Sequence, residues 1–131
     1  MKSLTENNLY AFLRKEKRER VFFELAKDRK NIIRKFATID RYFRITDKTI
    51  NLTKNNSSQI WSILQQELGC DKEVYILSTS TPYDQKNLIL NQEILEEILY
   101  DGFPSVILLN EKVAFVVGEL EYTPPKYLLK I

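Results

Sequence analysis

Ser78, Thr79, Ser80 and Thr81 put four hydroxyls in a row behind a strand-like run, where a nucleophile would be sought first. A hydroxyl attacks only when a positioned base takes its proton. The chain has no histidine, and no Ser-x-x-Lys spacing occurs at this place. The plainer reading is a hydrogen-bonding loop. Cys70, the single cysteine, follows Gly69 and precedes Asp71. A neighbouring carboxylate raises a thiol's pKa, so Cys70 reads as a small, half-buried side chain. It has no partner for an internal disulfide, which fits a reducing compartment.

Carboxylates offer the next chemistry. Glu93, Glu97 and Asp101 recur every fourth residue, with Glu96 beside them, so three acids line one helical face. Such a face could hold a hard cation or meet a basic partner. It is more simply a solvated face opposite Ile94, Leu95 and Ile98, and each like-charged pair costs about 0.2–0.5 kcal/mol. Metal-dependent nucleases place an Asp before a strand carrying Glu-x-Lys. Here Asp84 precedes Glu111-Lys112 without the spacer, and Asp28-Arg29-Lys30 has the spacing inside a helical stretch. An enzymatic site would require the fold to gather Asp84, Glu111 and Lys112 around a cleft. Gly69, Gly102 and Gly118 lie too far apart to cradle a phosphate. The residues therefore predict no enzyme, no metal and no cofactor.

Charge is the more informative pattern. Residues 1–54 hold 15 of the 20 Lys and Arg and 7 of the 18 Asp and Glu, a net +8, and residues 55–131 carry −6. The basic part includes Phe12, Phe22, Phe23, Phe36, Tyr42 and Phe43. Lys27, Arg29, Lys30, Arg34 and Lys35 could neutralise phosphates, with aromatics stacking on bases. Against this, Phe12, Phe22 and Phe36 fall at core spacing, and Glu16, Glu19, Glu24 and Asp28 interrupt the cations. No recognised nucleic-acid-binding motif is present. In the acidic part, Glu93, Glu97 and Asp101 with Tyr100 form a face suited to a basic protein, with Glu111, Glu119 and Glu121 adding to the field and Tyr83 and Tyr122 as further anchors. The leading expectation is a small non-catalytic protein acting by protein–protein contact, of inhibitor or immunity type. A nucleic-acid-binding accessory protein is the alternative, and a homodimer is compatible with both. The interleaved acids argue against a membrane surface, and no apolar run is long enough to span a bilayer. Met1–Asn8 turns polar at once, unlike a secretory leader, so a cytoplasmic location is expected.

The elements that must position these residues follow from periodicity. Ser3 and Glu6 have capping-box spacing before Leu9, Phe12 and Leu13. Phe22, Leu25, Ala26, Ile32, Ile33 and Phe36 predict a helix over about 19–38. Tyr42–Thr46 could be a short strand, and 47–56 reads as a loop or weak hairpin. Ser57 or Ser58 should cap a helix through Ile60, Trp61, Leu64 and Leu68, ended by Gly69. A strand over Glu73–Ser78, a loop over 78–84 and a helix capped by Asn91 and stopped near Gly102 come next. Pro104–Leu109 and Lys112–Val117 form a hairpin, and Tyr127–Ile131 adds a last strand. The sum is one α+β domain over 1–131. Its N-terminal helices and two further helices pack on a mainly antiparallel sheet of about 4–5 strands.

Overall fold

The computed structural model describes residues 3–68, 72–119 and 123–131. Its centre is one antiparallel sheet in the order β1-β6-β5-β4-β2-β3. The strands are β1 (Ile50–Asn51), β2 (Glu73–Leu77), β3 (Lys86–Ile89), β4 (Ser105–Leu108), β5 (Val113–Val117) and β6 (Lys126–Lys130). Helices α1 (Arg18–Lys27), α2 (Arg29–Lys35) and α3 (Ile39–Tyr42) lie towards the N-terminus, after a 3-10 helix over Glu6–Phe12; α4 (Ser57–Leu68) and α5 (Gln92–Leu99) follow. The class is α+β. The sheet has six strands rather than four or five because both of its edges are weak signals. β1 has two residues, and β3 reads Lys-Asn-Leu-Ile without polar–apolar alternation.

Both faces of the sheet are covered. Tyr75, Leu77, Val106, Leu108, Ala114, Val116 and Leu129 pack with the N-terminal helical layer, including Phe12, Val21, Ile33 and Phe36. Val74, Ile76, Ile107, Val113, Phe115, Val117 and Leu128 pack with Ile60 and Leu64 of α4 and Leu95 and Ile98 of α5. Successive strand residues point to opposite faces, so strands sandwiched between two layers must be apolar throughout. The unbroken runs Val106–Leu109 and Val113–Val117 meet that demand.

Local chemistry moved several expected boundaries. The helix expected over 19–38 is two helices, because Asp28 leaves the helical region (φ −147°, ψ 78°) and caps α2 by accepting from Asn31 N. An aspartate satisfies orphan amides at a new start better than it continues a helix. At the N-terminus Asn8 Oδ1 accepts from Thr5 N at 2.9 Å, displacing the Ser3–Glu6 box and leaving Glu6 free for another partner. Asn56, not Ser57 or Ser58, caps α4: its Oδ1 accepts from Gln59 N, and Gln59 Oε1 accepts from Asn56 N in return. Segment 42–46 is not a strand. Tyr42 ends the single turn of α3, and Phe43 contributes one bridge, to Leu13. Asn91 caps α5 as expected, and Gly102, at φ +83°, takes the left-handed conformation that turns the chain towards β4. Gly69, with Cys70 and Asp71, and Glu121 with Tyr122 lie outside the described residues.

Candidate functional site

The loop after β2 joins the two helical layers. Arg29, the first residue of α2, donates from Nε and Nη2 to the two carboxylate oxygens of Asp84, at 2.9 and 2.8 Å, and from Nη1 to Glu6. Asp84 Oδ1 also accepts from Ser78 N at 3.0 Å. The three side chains are only 18–28% exposed. A planar guanidinium forks onto one carboxylate and reaches a second, which a lysine cannot do. Across the sheet, Ser80 Oγ donates to Asp101, and Tyr83 OH donates to Glu97 Oε2 at 2.6 Å. Gln85 completes the turn at φ +62°, unusual for a residue with a Cβ.

This arrangement is a clasp. Two acceptors already take three donor nitrogens of Arg29, whose pKa they raise against the opposing effect of burial. The four hydroxyls lie just before the turn at 82–85: Ser78 and Thr81 are bonded to each other, Thr81 Oγ1 accepts from Tyr83 N, and Thr79 Oγ1 is buried without a partner. Asp84 sits at the end of β2 that pairs with the start of β4, whereas Glu111 and Lys112 lie in the turn beyond the far end of β4. The sheet therefore holds apart the three groups that an enzymatic site would have to gather. Among the described residues, no group of three or more His, Cys, Asp or Glu is disposed to hold a metal ion.

Tyr75 lies against the clasp and is 8% exposed. Burial first, then the negative charge of Glu6, pushes its pKa up to about 12, with Arg29 partly offsetting. The folded state thus resists ionising Tyr75, whereas the unfolded chain ionises it near pH 10. Its contribution to stability is full below about pH 10 and declines as pH rises towards 12, by about 2–3 kcal/mol. Urea unfolding at stepped alkaline pH should show this decline in the wild type and a shallower one in Tyr75→Phe. Equal slopes in the two proteins would remove the assignment.

The acidic residues of the C-terminal part lie where the helical reading put them, on α5. Glu93 and Glu97 are exposed, and Tyr100 is 76% exposed just beyond the helix. Asp101 is half-buried. Glu97 and Asp101 already accept from Tyr83 and Ser80, so their acceptor capacity is partly spent inside the molecule. Of the basic residues, Lys27, Lys30 and Arg34 are exposed and Lys35 is half-buried. Arg34 lies over the Phe103 ring at 5.3 Å. Arg29 is engaged in the clasp.

Phe22 departs from its core spacing. It is 57% exposed, and Phe23 beside it 61%, their rings edge-on at 5.7 Å, with Tyr10 at 6.2 Å from Phe22. Val21 and Leu25 carry the buried stripe of α1, which leaves Phe22, Phe23 and Ala26 on the outside. The signal lay in Val21 and Leu25, four apart on α1, whose inward stripe leaves the adjacent aromatics outside.

Fold and surface together define an α+β domain with helices on both faces of an antiparallel sheet, presenting an aromatic patch on one layer and an acidic helix on the other. Comparison with protein-family models, with curated proteins and with solved structures gave no significant match.

Proposed function

We propose that this chain is a non-catalytic binding protein that acts by protein–protein contact, with the Phe22–Phe23 pair at the centre of its interface. The supporting observation is the exposure of two adjacent phenylalanines in a helical layer that buries Phe12, Phe36 and Phe43 completely or nearly so. Exposed aromatics that touch one another keep apolar surface in water, and such anchors carry most of the energy of an interface. An inhibitor or immunity-type role requires nothing more than this occlusion.

The test is capture of a partner from the native host, with and without nuclease treatment, followed by affinity measurement on the purified pair. Phe22→Ser combined with Phe23→Ser should weaken binding by about 30-fold or more, with capture insensitive to nuclease. If the acidic helix is the contact instead, Glu93→Lys with Glu97→Lys will slow association and the phenylalanine changes will be silent. That result would overturn the placement on α1. Exposed Lys27 and Lys30 favour a second reading, nucleic-acid association. Its mark would be nuclease-sensitive capture and affinity that falls steeply with salt.

A further inference from the structure

A cleft of about 790 Å³ opens between the start of α1 and the segment that follows α3. Arg14, Lys15, Glu16, Arg18, Asp40 and Arg44 line it. Ile45, 48% exposed, gives it an apolar side, and Phe43, 1% exposed, lies beneath as a buried floor. None of the four cations belongs to the five basic residues that helical spacing singled out.

The walls are held by backbone rather than by side chains alone. Arg14 N donates to Tyr42 O at 2.8 Å and Arg44 N to Phe12 O at 2.8 Å, on either side of the Leu13–Phe43 bridge. This short antiparallel ladder sets residues 14 and 44 on facing walls before any ligand arrives. Glu16 is spent on Arg14, with Oε1 3.0 Å from Nε. Arg14 Nη1 also donates to Asp40 O at 3.1 Å, and Arg44 Nη1 to Ala11 O at 3.3 Å. Among the described residues no carboxylate pairs with Lys15, Arg18 or Arg44, and Arg18 Nε is buried without an acceptor. Lys17, next in the chain, is turned elsewhere, over the Tyr42 ring at 5.4 Å. Four cations face two carboxylates, and one of those carboxylates is already paired. The surplus is two positive charges in a concave, partly apolar site.

We propose that this cleft binds a phosphate-bearing anion, with Arg18 and Arg44 gripping the phosphate oxygens, Lys15 adding charge at the mouth, and Ile45 receiving an organic group attached to it. Guanidinium forks match the geometry of phosphate oxygens, and the volume is that of a small-molecule site. The phosphate can come from a free small molecule or from a nucleic-acid strand. The proposal is independent of the protein contact on α1.

Two probes separate the sources: inorganic pyrophosphate, and a short single-stranded oligonucleotide with a 5′-phosphate. Each is titrated into the isotopically labelled protein at low salt and followed through its amide resonances. Saturable shifts confined to residues 14–18 and 40–46 are expected with at least one probe. Pyrophosphate binding alone points to a free anion, and oligonucleotide binding alone to a strand. Arg18→Gln with Arg44→Gln should weaken binding about tenfold or more. Exposed Lys15→Gln, which disturbs no packing, should weaken it by a smaller factor. No saturable binding of either probe, shifts located elsewhere, or unchanged affinity in Lys15→Gln and the Arg44→Gln single variant would overturn the assignment.

Discussion

Phe36→Ala lowers the unfolding free energy by about 3–5 kcal/mol, a large share of what a domain of this size possesses. Phe36 is fully buried where α2 ends, and its ring meets Tyr42 and Phe43 edge-on at 5.6 and 5.0 Å. Truncation to alanine removes the ring's transfer energy and leaves a void, because strands on one side and α1–α3 on the other cannot close over it. The two edge-to-face contacts add about 0.5–1.5 kcal/mol each beyond burial. Phe36→Leu, which keeps much of the volume, should cost about 1–2 kcal/mol. The control is Phe22→Ala, the same residue type in the same helical layer but exposed, which should shift stability by no more than about 0.5 kcal/mol. Urea unfolding of the three variants measures all of this. A Phe22→Ala loss comparable with that of Phe36→Ala would place Phe22 in the core and end its role as a surface anchor. Phe36→Ala should also loosen the cationic cleft, since Phe43 forms its floor and loses the ring it leans on.

Arg29→Met destabilises the protein by about 2–4 kcal/mol. Removing one member of a largely buried ionic group leaves the other members desolvated without compensation, and that residual penalty exceeds the net worth of the intact group. Here two carboxylates, Glu6 and Asp84, would face each other across a vacated guanidinium. The lower half of the range reflects the roughly one-quarter exposure of the acids, which lets water screen part of the repulsion. For a domain of this length a loss of that size lowers Tm by about 10 °C. Arg29→Lys should recover less than half of the loss, because an ammonium restores the charge without the two-oxygen fork on Asp84. Glu6→Gln should cost far less than Arg29→Met, since the Asp84 pairing survives. Thermal melts of these variants decide the matter. An Arg29→Lys protein as stable as the wild type would show that charge alone matters here. An Arg29→Met protein of unchanged Tm would mean that the clasp contributes nothing. The clasp ties the 3-10 helix, α2 and the β2–β3 turn together, so its loss should also expose the backbone of 78–85 to faster hydrogen exchange.

Much of the architecture was legible in the residues alone. Val106–Leu109 and Val113–Val117 are apolar at every position, and Asn91 followed by Ile94, Leu95 and Ile98 marks a capped amphipathic helix; each signal lies within a dozen neighbouring residues. The α+β class follows from the order of such segments, and the structure agrees with it. Less legible were the edges. β1 and β3 are strands only because Leu128 and Tyr127 of β6, and residues 73–76 of β2, offer them hydrogen bonds. By spacing Asp28 falls inside one continuous helix, whereas it caps a second one that buries Ile32 and Ile33.

Which charges are spent and which face solvent was settled by tertiary structure alone. Arg29 looked like one more cation among Lys27, Lys30, Arg34 and Lys35, until chain folding brought Asp84, 55 positions away, onto its guanidinium. Arg14 and Arg44 lie 30 residues apart, so no local spacing joins them, and only the Leu13–Phe43 bridge makes them two walls of one cleft. Short-range propensity acts through neighbours three or four positions away. A charge, by contrast, is silenced or exposed by whatever the sheet order carries to it from elsewhere in the chain.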